Sequence, residues 1–269
     1  MKTRAITGFF FVLVMLAAFF FGQYVFLGFF SLLTLLCLSE FYKLIKTANI
    51  HPQQFSGLII GLVICAATAS FWLHASFTTY FLALIIPLGV GVFFAELYRK
   101  TEKPFHQIAY TFLGLIYTLM PFVFFMSMAF LQGNFNFHLP LGFILLLWTN
   151  DTCAYLVGRK LGKNKLFERH SPKKTWEGFI GGIMATALAA GLISHYFPEI
   201  PSIHWIITAL IISIFGTMSD LVESMLKRSI NVKDSGSILP GHGGLLDRFD
   251  GLLLAVPLVF IYLYLFSTL

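Results

Sequence analysis

The sequence predicts an all-α, polytopic integral membrane protein with about nine transmembrane helices and a cytoplasmic N-terminus. Hydrophobic residues make up 58% of the chain, and 32 of its 269 residues are phenylalanine. A soluble domain of this length could not bury so much apolar surface. The apolar residues form runs of a length suited to crossing a bilayer, and the basic residues lie between these runs.

The apolar runs give the order of the predicted helices. They cover approximately residues 5–21, 24–39, 56–73, 79–97, 108–131, 140–158, 178–197, 203–222 and 249–267. Lys2 and Arg4 precede the first run as in a signal peptide, but further runs follow at once, so we interpret it as a retained helix. We expect one membrane domain, residues 1–269, in which residues 1–140 mainly supply supporting helices and residues 141–269 carry the chemistry.

The basic residues provide an independent test of the number of spans. With nine spans and a cytoplasmic N-terminus, all 18 lysines and arginines fall on the cytoplasmic side. This distribution obeys the positive-inside rule, and one missed span would scatter the later charges to both sides. The net charge of +6 then belongs to the cytoplasmic face, where it suits anionic lipid headgroups and nucleotide phosphates. Nucleic acid is not expected as a partner, because the basic residues are spread over short loops.

The first half offers few candidates for chemistry. Glu40 and Glu96 lie near the predicted cytoplasmic ends of helices. We interpret each as an interfacial charge rather than as a catalytic group.

The connection from Ser219 to Gly251 contains ten ionisable groups, although only 11% of the whole chain is charged. If the eighth helix continues into it, four polar residues share one helical face: Asp220, Glu223, Ser224 and Lys227. Gly243 and Gly244 permit positive φ and allow backbone N–H groups to approach a phosphate. Asp247 and Asp250 suit the first turn of the last helix. This combination predicts oxygen ligands for a divalent cation beside groups that bind phosphates.

The same connection resembles the signature of a known family, the phosphatidate cytidylyltransferases (CDP-diacylglycerol synthases). The resemblance covers four segments: Ser224-Met-Leu-Lys227-Arg228, Lys233-Asp234, Pro240-Gly241-His242-Gly243-Gly244 and Asp247-Arg248-Phe249-Asp250. It implies transfer of the cytidylyl group of CTP to phosphatidic acid, giving CDP-diacylglycerol and pyrophosphate for phospholipid biosynthesis. Because the basic residues lie on the cytoplasmic side, we expect the site to face the cytoplasm, and the short, compact chain favours the inner membrane of a bacterium.

A polar segment interrupts the sixth apolar run at Asn150 and Asp151. A carboxylate at this depth is costly unless it is paired, binds a metal or faces water. Asp151, Tyr155 and Arg159 share a helical face, so a buried ion pair between Asp151 and Arg159 is one interpretation. We prefer a place on the wall of the same polar cavity, because a similar Asn-Asp-x-x-Ala-Tyr run occurs in the resembled family.

The longest cytoplasmic connection contains the order Ser171-Pro172-Lys173-Lys174-Thr175. Ser171 and Pro172 are predicted to cap and begin a helix, and such a helix start is suited to an anion. The alternative is that these lysines only follow the positive-inside rule. A similar stretch belongs to the active region of the resembled family, which implies phosphate contacts for Lys173, Lys174 and Thr175.

The resemblance and the residue types together give three predicted groups of site residues. The predicted catalytic residues are Asp220, Asp247, Lys227, Arg228, His242 and Arg248. The predicted substrate-binding residues are Asn150, Asp151, Tyr155, Lys173, Lys174, Thr175, Ser224, Lys233, Gly243 and Gly244. The predicted metal ligands are Asp220, Asp247, Asp151 and Asp250. We expect Mg²⁺ as the cofactor, with CTP, phosphatidic acid and membrane lipid as partners; a second cation and a homodimer are left open.

Other functions share some of these features. A CDP-alcohol phosphatidyltransferase uses the pattern Asp-x-x-Asp-Gly-x-x-Ala-Arg, of which only the Asp247–Gly251 part is present. A polyprenyl or phospho-sugar transferase would contain other aspartate-rich motifs. An ion-coupled transporter could use Asp151 and Asp220, but its polar groups should lie near the midplane and its halves should repeat. An assay for CTP-dependent chemistry and an assay for solute flux would distinguish the enzymes from the transporter.

Overall fold

The computed structural model describes residues 2–236, 238 and 243–266, with side chains from residue 7. These residues form nine helices: α1 (Lys2–Phe20), α2 (Gln23–Lys46), α3 (Gln54–Trp72), α4 (Thr78–Tyr98), α5 (Pro104–Met128), α6 (His138–Leu161), α7 (Trp176–Tyr196), α8 (Ser202–Ser229) and α9 (Asp250–Phe266). A short antiparallel pair, β1 (Lys165–Phe167) and β2 (Ser171–Thr175), precedes α7. A single 3₁₀ turn covers Leu246–Arg248.

The predicted all-helical membrane fold is confirmed. Among the described residues, seven helices, α2 to α8, are long and apolar enough to cross a membrane. The helices α1 and α9 are apolar but shorter. Two helices are longer than the apolar runs that predicted them: α2 continues to Lys46 and α8 continues to Ser229. The charged residues at the C-terminal ends of these runs are therefore helical.

The prediction that a helix begins at Ser171 and Pro172 is wrong. Residues Ser171–Thr175 form β2, which pairs with β1 in the register Lys165 to Thr175. The following helix begins only at Trp176, where the Thr175 hydroxyl accepts a hydrogen bond from the Gly178 N–H at 3.2 Å. Thr175 can therefore cap the helix itself, while strand pairing satisfies the backbone before it.

The chain divides into two compact units. The first consists of the described residues of Met1–Ser127 and Asp234–Arg248. Its core contains four buried rings, with centroids of neighbouring rings 4.8–6.4 Å apart: Phe19, Phe26, Phe30 and Phe125. Tyr42 of α2 donates a hydrogen bond to the Thr111 carbonyl of α5 at 2.8 Å. Aromatic packing and interhelical hydrogen bonds of this kind join helices where lipid provides no hydrophobic driving force.

The second unit consists of the described residues of Met128–Lys233 and Phe249–Leu269. Small residues allow its helices to approach closely. A Cβ at Gly178 of α7 would lie 2.6 Å from the Ala154 carbonyl oxygen of α6. Trp205 of α8 packs in the same way on Gly142 of α6, where a Cβ would lie 2.4 Å from the indole ring. Close glycine contacts are typical of packed membrane helices.

The two units divide the signature region between them. Residues up to Lys233 belong to the second unit, Asp234–Arg248 to the first, and the chain returns to the second unit at Phe249. The predicted division into a supporting half and a chemical half at residue 140 stays a prediction.

Candidate functional site

Three carboxylates lie near one another in the second unit: Asp151 of α6, Asp220 of α8 and Asp250 of α9. Asp250 experiences the negative charges of Asp220 and Asp151, and also that of Glu223. Asp151 likewise experiences the charge of Asp220. Like charges this close repel one another, so the arrangement favours a neighbouring cation.

A lysine from β2 supplies one positive charge to this cluster. The Lys174 ammonium lies 2.6 Å from Oδ2 of Asp220 and donates to the Thr217 carbonyl at 3.4 Å. Asp151 also experiences the Lys174 charge. The side chains of Lys174 and Asp220 are 25% and 32% exposed, so a ligand can reach this ion pair. We call Asp151, Asp220, Asp250 and Lys174 the carboxylate cluster.

Local hydrogen bonds fix the helices that carry these side chains. The Ser219 hydroxyl donates to the Asp250 carbonyl and accepts from the Leu254 N–H at 3.1 Å, which joins α8 to the first turn of α9. The Gly251 N–H donates to Oδ1 of Asp250 at 2.7 Å. Asn150 is buried in α6 beside the close contact with α7.

One turn further along α8 lies a buried ion pair. Lys227 Nζ lies 3.2 Å from Oε1 of Glu223, and both side chains are buried. Ser224 donates a hydrogen bond to Oδ1 of Asp220 at 3.3 Å, as the predicted shared helical face requires. Lys227, predicted to be a catalytic residue, therefore has a carboxylate partner on its own helix.

The strand pair places Lys174 by fixing β2 to the start of α7. The Glu177 carboxylate accepts hydrogen bonds from the Lys163 N–H at 3.1 Å and from the Asn164 side-chain amide at 2.8 Å. Thr175 is buried and its hydroxyl accepts from Gly178, so it acts as a helix cap in this structure. Lys173, next to Lys174, is exposed.

Asp247 belongs to the first unit, where its carboxylate accepts hydrogen bonds from two backbone N–H groups, one of them shared between both oxygens. Oδ1 and Oδ2 accept from the Ser235 N–H at 3.2 and 3.0 Å, and Oδ2 also accepts from the Gly244 N–H at 2.9 Å. Gly243 has a φ of +81°, which confirms the predicted need for glycine at that position. We call the described residues of Asp234–Arg248 the glycine-containing segment. Asp247 orders its backbone through these hydrogen bonds.

The sequence-predicted residues fall into distinct places. Those brought together around the carboxylate cluster are Asp151, Asp220, Asp250, Lys174, Asn150 and Ser224. Asp247, Gly243, Gly244 and Arg248 belong to the first unit. Tyr155, Lys173, Arg228 and Lys233 are exposed, and Lys227 and Thr175 are buried. His242, with Pro240 and Gly241, lies outside the described residues.

The structure resolves one open alternative at Asp151. None of the ion pairs among the described residues joins Asp151 to Arg159. Asp151 is exposed, and the positive charge that acts on it is that of Lys174. The buried-bridge interpretation is therefore wrong in this structure.

Sequence reasoning gave no partners to two acidic residues near helix ends. Glu40 and Glu96 are 2% and 3% exposed, so each is buried within the protein and their interpretation as interfacial charges stays a prediction. Glu96 accepts hydrogen bonds from Gln53 at 2.7 Å and from Thr101 at 2.7 Å, and pairs with Arg99 at 2.9 Å. Glu40 accepts from the Leu246 N–H, 206 residues away. The only sequence signal for Glu40 was an acid at the end of an apolar run.

The carboxylate cluster suits Mg²⁺ by the type of its donor atoms. Hard oxygen ligands with excess negative charge are what this ion prefers, and Lys174 shows that a cation is stabilised beside Asp220. As the side chains stand, no three His, Cys, Asp or Glu residues among those described are arranged to hold a metal ion. Binding would thus require side-chain rotation within the cluster.

Comparison with known proteins gives consistent matches. The model of the Cytidylyltransferase family matches residues 2–266. A phosphatidate cytidylyltransferase of Staphylococcus haemolyticus (strain JCSC1435) is 33% identical over 267 residues, which are 98% of this chain and 99% of that protein. One from Staphylococcus aureus (strain COL) is 34% identical over the same shares. One from Bacillus subtilis (strain 168) is 41% identical over 169 residues, 62% of each chain.

Proposed function

Because this chain belongs to the cytidylyltransferase family, we propose that it transfers the cytidylyl group of CTP to phosphatidic acid. The proposed products are CDP-diacylglycerol and pyrophosphate, and the proposed role is in phospholipid biosynthesis. The family match and relatives named for this activity over nearly their full length support the proposal. Seven membrane-length helices suit an enzyme whose one substrate carries acyl chains.

The observation that carries the proposal is the carboxylate cluster with its lysine. Asp220 contacts the Lys174 ammonium at 2.6 Å, and Asp151 and Asp250 add negative charge to the same region. Transfer between two phosphate groups needs carboxylates for a divalent cation and basic groups for phosphate oxygens. Both kinds of group are present here, and they are accessible to a ligand.

In the proposed reaction, an oxygen of the phosphatidate phosphate forms a bond to the α-phosphorus of CTP. The bond between that phosphorus and the oxygen bridging to the β-phosphate breaks, and pyrophosphate leaves with the electron pair. The attacking phosphate is already ionised near neutral pH, so a strong general base is unnecessary. The main barrier is the approach of two anions, which positioning and positive charge reduce.

We assign Lys174 to a phosphate oxygen, because its ammonium lies at the accessible edge of the cluster. Lys173, Arg228 and Lys233 are exposed and can attract the polyanionic nucleotide. Ser224 orients Asp220 through its 3.3 Å hydrogen bond. Lys227 neutralises Glu223 and so limits the negative charge beneath the cluster.

Mg²⁺ is the proposed cofactor, with Asp151, Asp220 and Asp250 as the residues that would hold it. When bound, this ion neutralises phosphate charge and stabilises the leaving pyrophosphate. A ligand role for Asp247 also stays a proposal, since its oxygens already accept hydrogen bonds from Ser235 and Gly244.

We propose that the active face lies toward the cytoplasm of a bacterial cell membrane. In the nine-span arrangement every basic residue falls on that side, where CTP is available. The relatives with this activity in their names are bacterial.

The proposal is tested by pyrophosphate release from CTP by purified protein in detergent. Phosphatidic acid and Mg²⁺ are each supplied or omitted, and the lipid product is recovered. We expect release only when both are present, together with CDP-diacylglycerol. A folded, monodisperse sample that releases no pyrophosphate under any of these conditions would refute the proposed function.

A further inference from the structure

A buried carboxylate in α2 lies against the glycine-containing segment of the first unit. Glu40 is 2% exposed and its neighbours on α2 include buried apolar side chains such as Phe41 and Leu44. A carboxylate in such surroundings is costly unless hydrogen-bond donors surround it. The partners of Glu40 therefore indicate what the residue does.

The partners are backbone groups of a distant segment. Oε2 of Glu40 accepts a hydrogen bond from the Leu246 N–H at 2.7 Å, between residues 206 positions apart. Oε1 of Glu40 and the Ser235 hydroxyl both lie close to Gly244. Leu246 itself is buried, so its N–H has exchanged water for Glu40.

Glu40 and Asp247 order the same short segment. Asp247 accepts from the N–H groups of Ser235 and Gly244, while Glu40 accepts from the N–H of Leu246. Two backbone donors two residues apart, at residues 244 and 246, thus donate to two different carboxylates. Hydrogen bonds to a charged acceptor are stronger than neutral ones, so this arrangement fixes the local backbone.

The glycines of the segment fit this contact closely. A Cβ at Gly236 would lie 2.0 Å from Oε1 of Glu40. A Cβ at Gly244 would lie 2.6 Å from the same oxygen and 2.8 Å from the Gly236 backbone nitrogen. Side chains at either position would push the segment away from α2. The sequence therefore keeps glycine where the backbone approaches the Glu40 carboxylate.

We propose that Glu40 is a positioning residue, which holds the backbone of residues 244–246 in the conformation used for CTP. The inference rests on the proposed function, because it assigns a role in that reaction to the segment carrying Asp247 and Arg248. Glu40 acts through the segment and needs no contact with substrate.

The test compares Glu40→Gln with Glu96→Gln. Both variants remove one buried negative charge from a helix of the first unit, but Glu96 has its contacts with Gln53, Arg99 and Thr101. Glu40→Gln keeps one oxygen that can accept from the Leu246 N–H, but it removes the charge that strengthens this bond and replaces the oxygen facing Gly236 and Gly244 by an NH₂ donor. Two quantities are measured below both unfolding temperatures: hydrogen–deuterium exchange of peptides covering residues 243–249, and the KM and kcat for CTP.

We expect exchange in this peptide to accelerate on the order of tenfold or more in Glu40→Gln, but not in Glu96→Gln. We also expect KM for CTP to rise on the order of tenfold. A merely structural role would lower the active fraction, and thus the apparent kcat, at unchanged KM. If Glu40→Gln does not fold, Gly236→Ala tests the same contact from the segment side.

Wild-type exchange and KM in a folded Glu40→Gln or Gly236→Ala variant would overturn the proposal. Equal changes in Glu96→Gln would also overturn it, because the effect would then not depend on the contact with residues 244–246. If the wild type itself does not turn over CTP, the proposed function fails. The exchange measurement still decides whether Glu40 holds the segment.

Discussion

Gly178 provides the sharpest test of how α6 and α7 support the carboxylate cluster. A Cβ at this position would lie 2.6 Å from the Ala154 carbonyl oxygen and 3.0 Å from the Cα of Gly158. Both are backbone atoms, so no side-chain rotation relieves the contact. Ordinary contact begins at 3.4 Å, so α6 and α7 must separate by about 0.8 Å in Gly178→Ala.

The expected loss of unfolding free energy in Gly178→Ala has two sources. Overpacking of a close contact costs about 1–3 kcal/mol, and displacement of the Gly178 N–H from the Thr175 hydroxyl costs about 1 kcal/mol. The sum, about 2–4 kcal/mol, corresponds to a fall of roughly 5–15 °C in Tm for a chain of this size. Because β2 precedes α7 directly, we also expect Lys174 to move from Asp220 and the rate of CTP turnover to fall.

Gly191 of the same helix supplies the matched control. An added Cβ there would meet no atom of the described residues within 4 Å. Gly191→Ala should therefore be neutral or stabilising by up to about 1 kcal/mol, because alanine favours helix over glycine. Thermal unfolding of both variants is measured in one detergent at a fixed protein concentration. Equal Tm values for Gly178→Ala and Gly191→Ala would refute the close-contact reasoning.

Three further predictions concern single side chains. Lys174→Gln should lower kcat/KM for CTP on the order of tenfold or more with little change in Tm, since the ion pair is partly exposed; an unchanged kcat/KM would remove Lys174 from the site. Asp247→Asn should abolish activity in a folded protein, because it removes the negative charge of a proposed metal ligand and of the acceptor for the Ser235 and Gly244 N–H groups; full activity would contradict this. Partial burial raises the pKa of Glu199, but hydrogen bonds with His138 and Asn136 outweigh it and hold the pKa below its ordinary value of 4.5. The stability from Glu199 is therefore present above pH 4.5 and is lost as the pH falls through the lowered value; the Tm advantage of wild type over Glu199→Gln should shrink over that interval, and a constant difference would contradict the assignment.

The helices were predictable because a membrane span leaves a strong local signal. Runs of apolar residues such as 56–73 and 79–97 match Gln54–Trp72 and Thr78–Tyr98 closely. Each such helix satisfies its own backbone, so its position depends on nearby residues alone. The face shared by Asp220 and Ser224 was predictable for the same reason.

The features that sequence reasoning missed depend on distant residues. Residues Ser171–Thr175 form a strand because β1 supplies a partner, although Ser-Pro is also a good helix start. The burial of Glu40 depends on Leu246, 206 positions further along the chain. Neither the strand pairing nor the Glu40–Leu246 contact produces a periodic pattern in the sequence. The proximity of Asp151 to Asp220 and Asp250 came from the resemblance and from the cost of a carboxylate in a membrane helix.

The central claim is that the carboxylate cluster carries out cytidylyl transfer. The most direct measurement is the rate of CDP-diacylglycerol formation from CTP and phosphatidic acid against Mg²⁺ concentration, for wild type and Asp220→Asn at equal folded concentrations. We predict Mg²⁺-dependent product from the wild type, and a rate lower by on the order of a hundredfold, with a raised Mg²⁺ requirement, in the variant. A folded Asp220→Asn protein with the wild-type rate at every Mg²⁺ concentration would contradict the account.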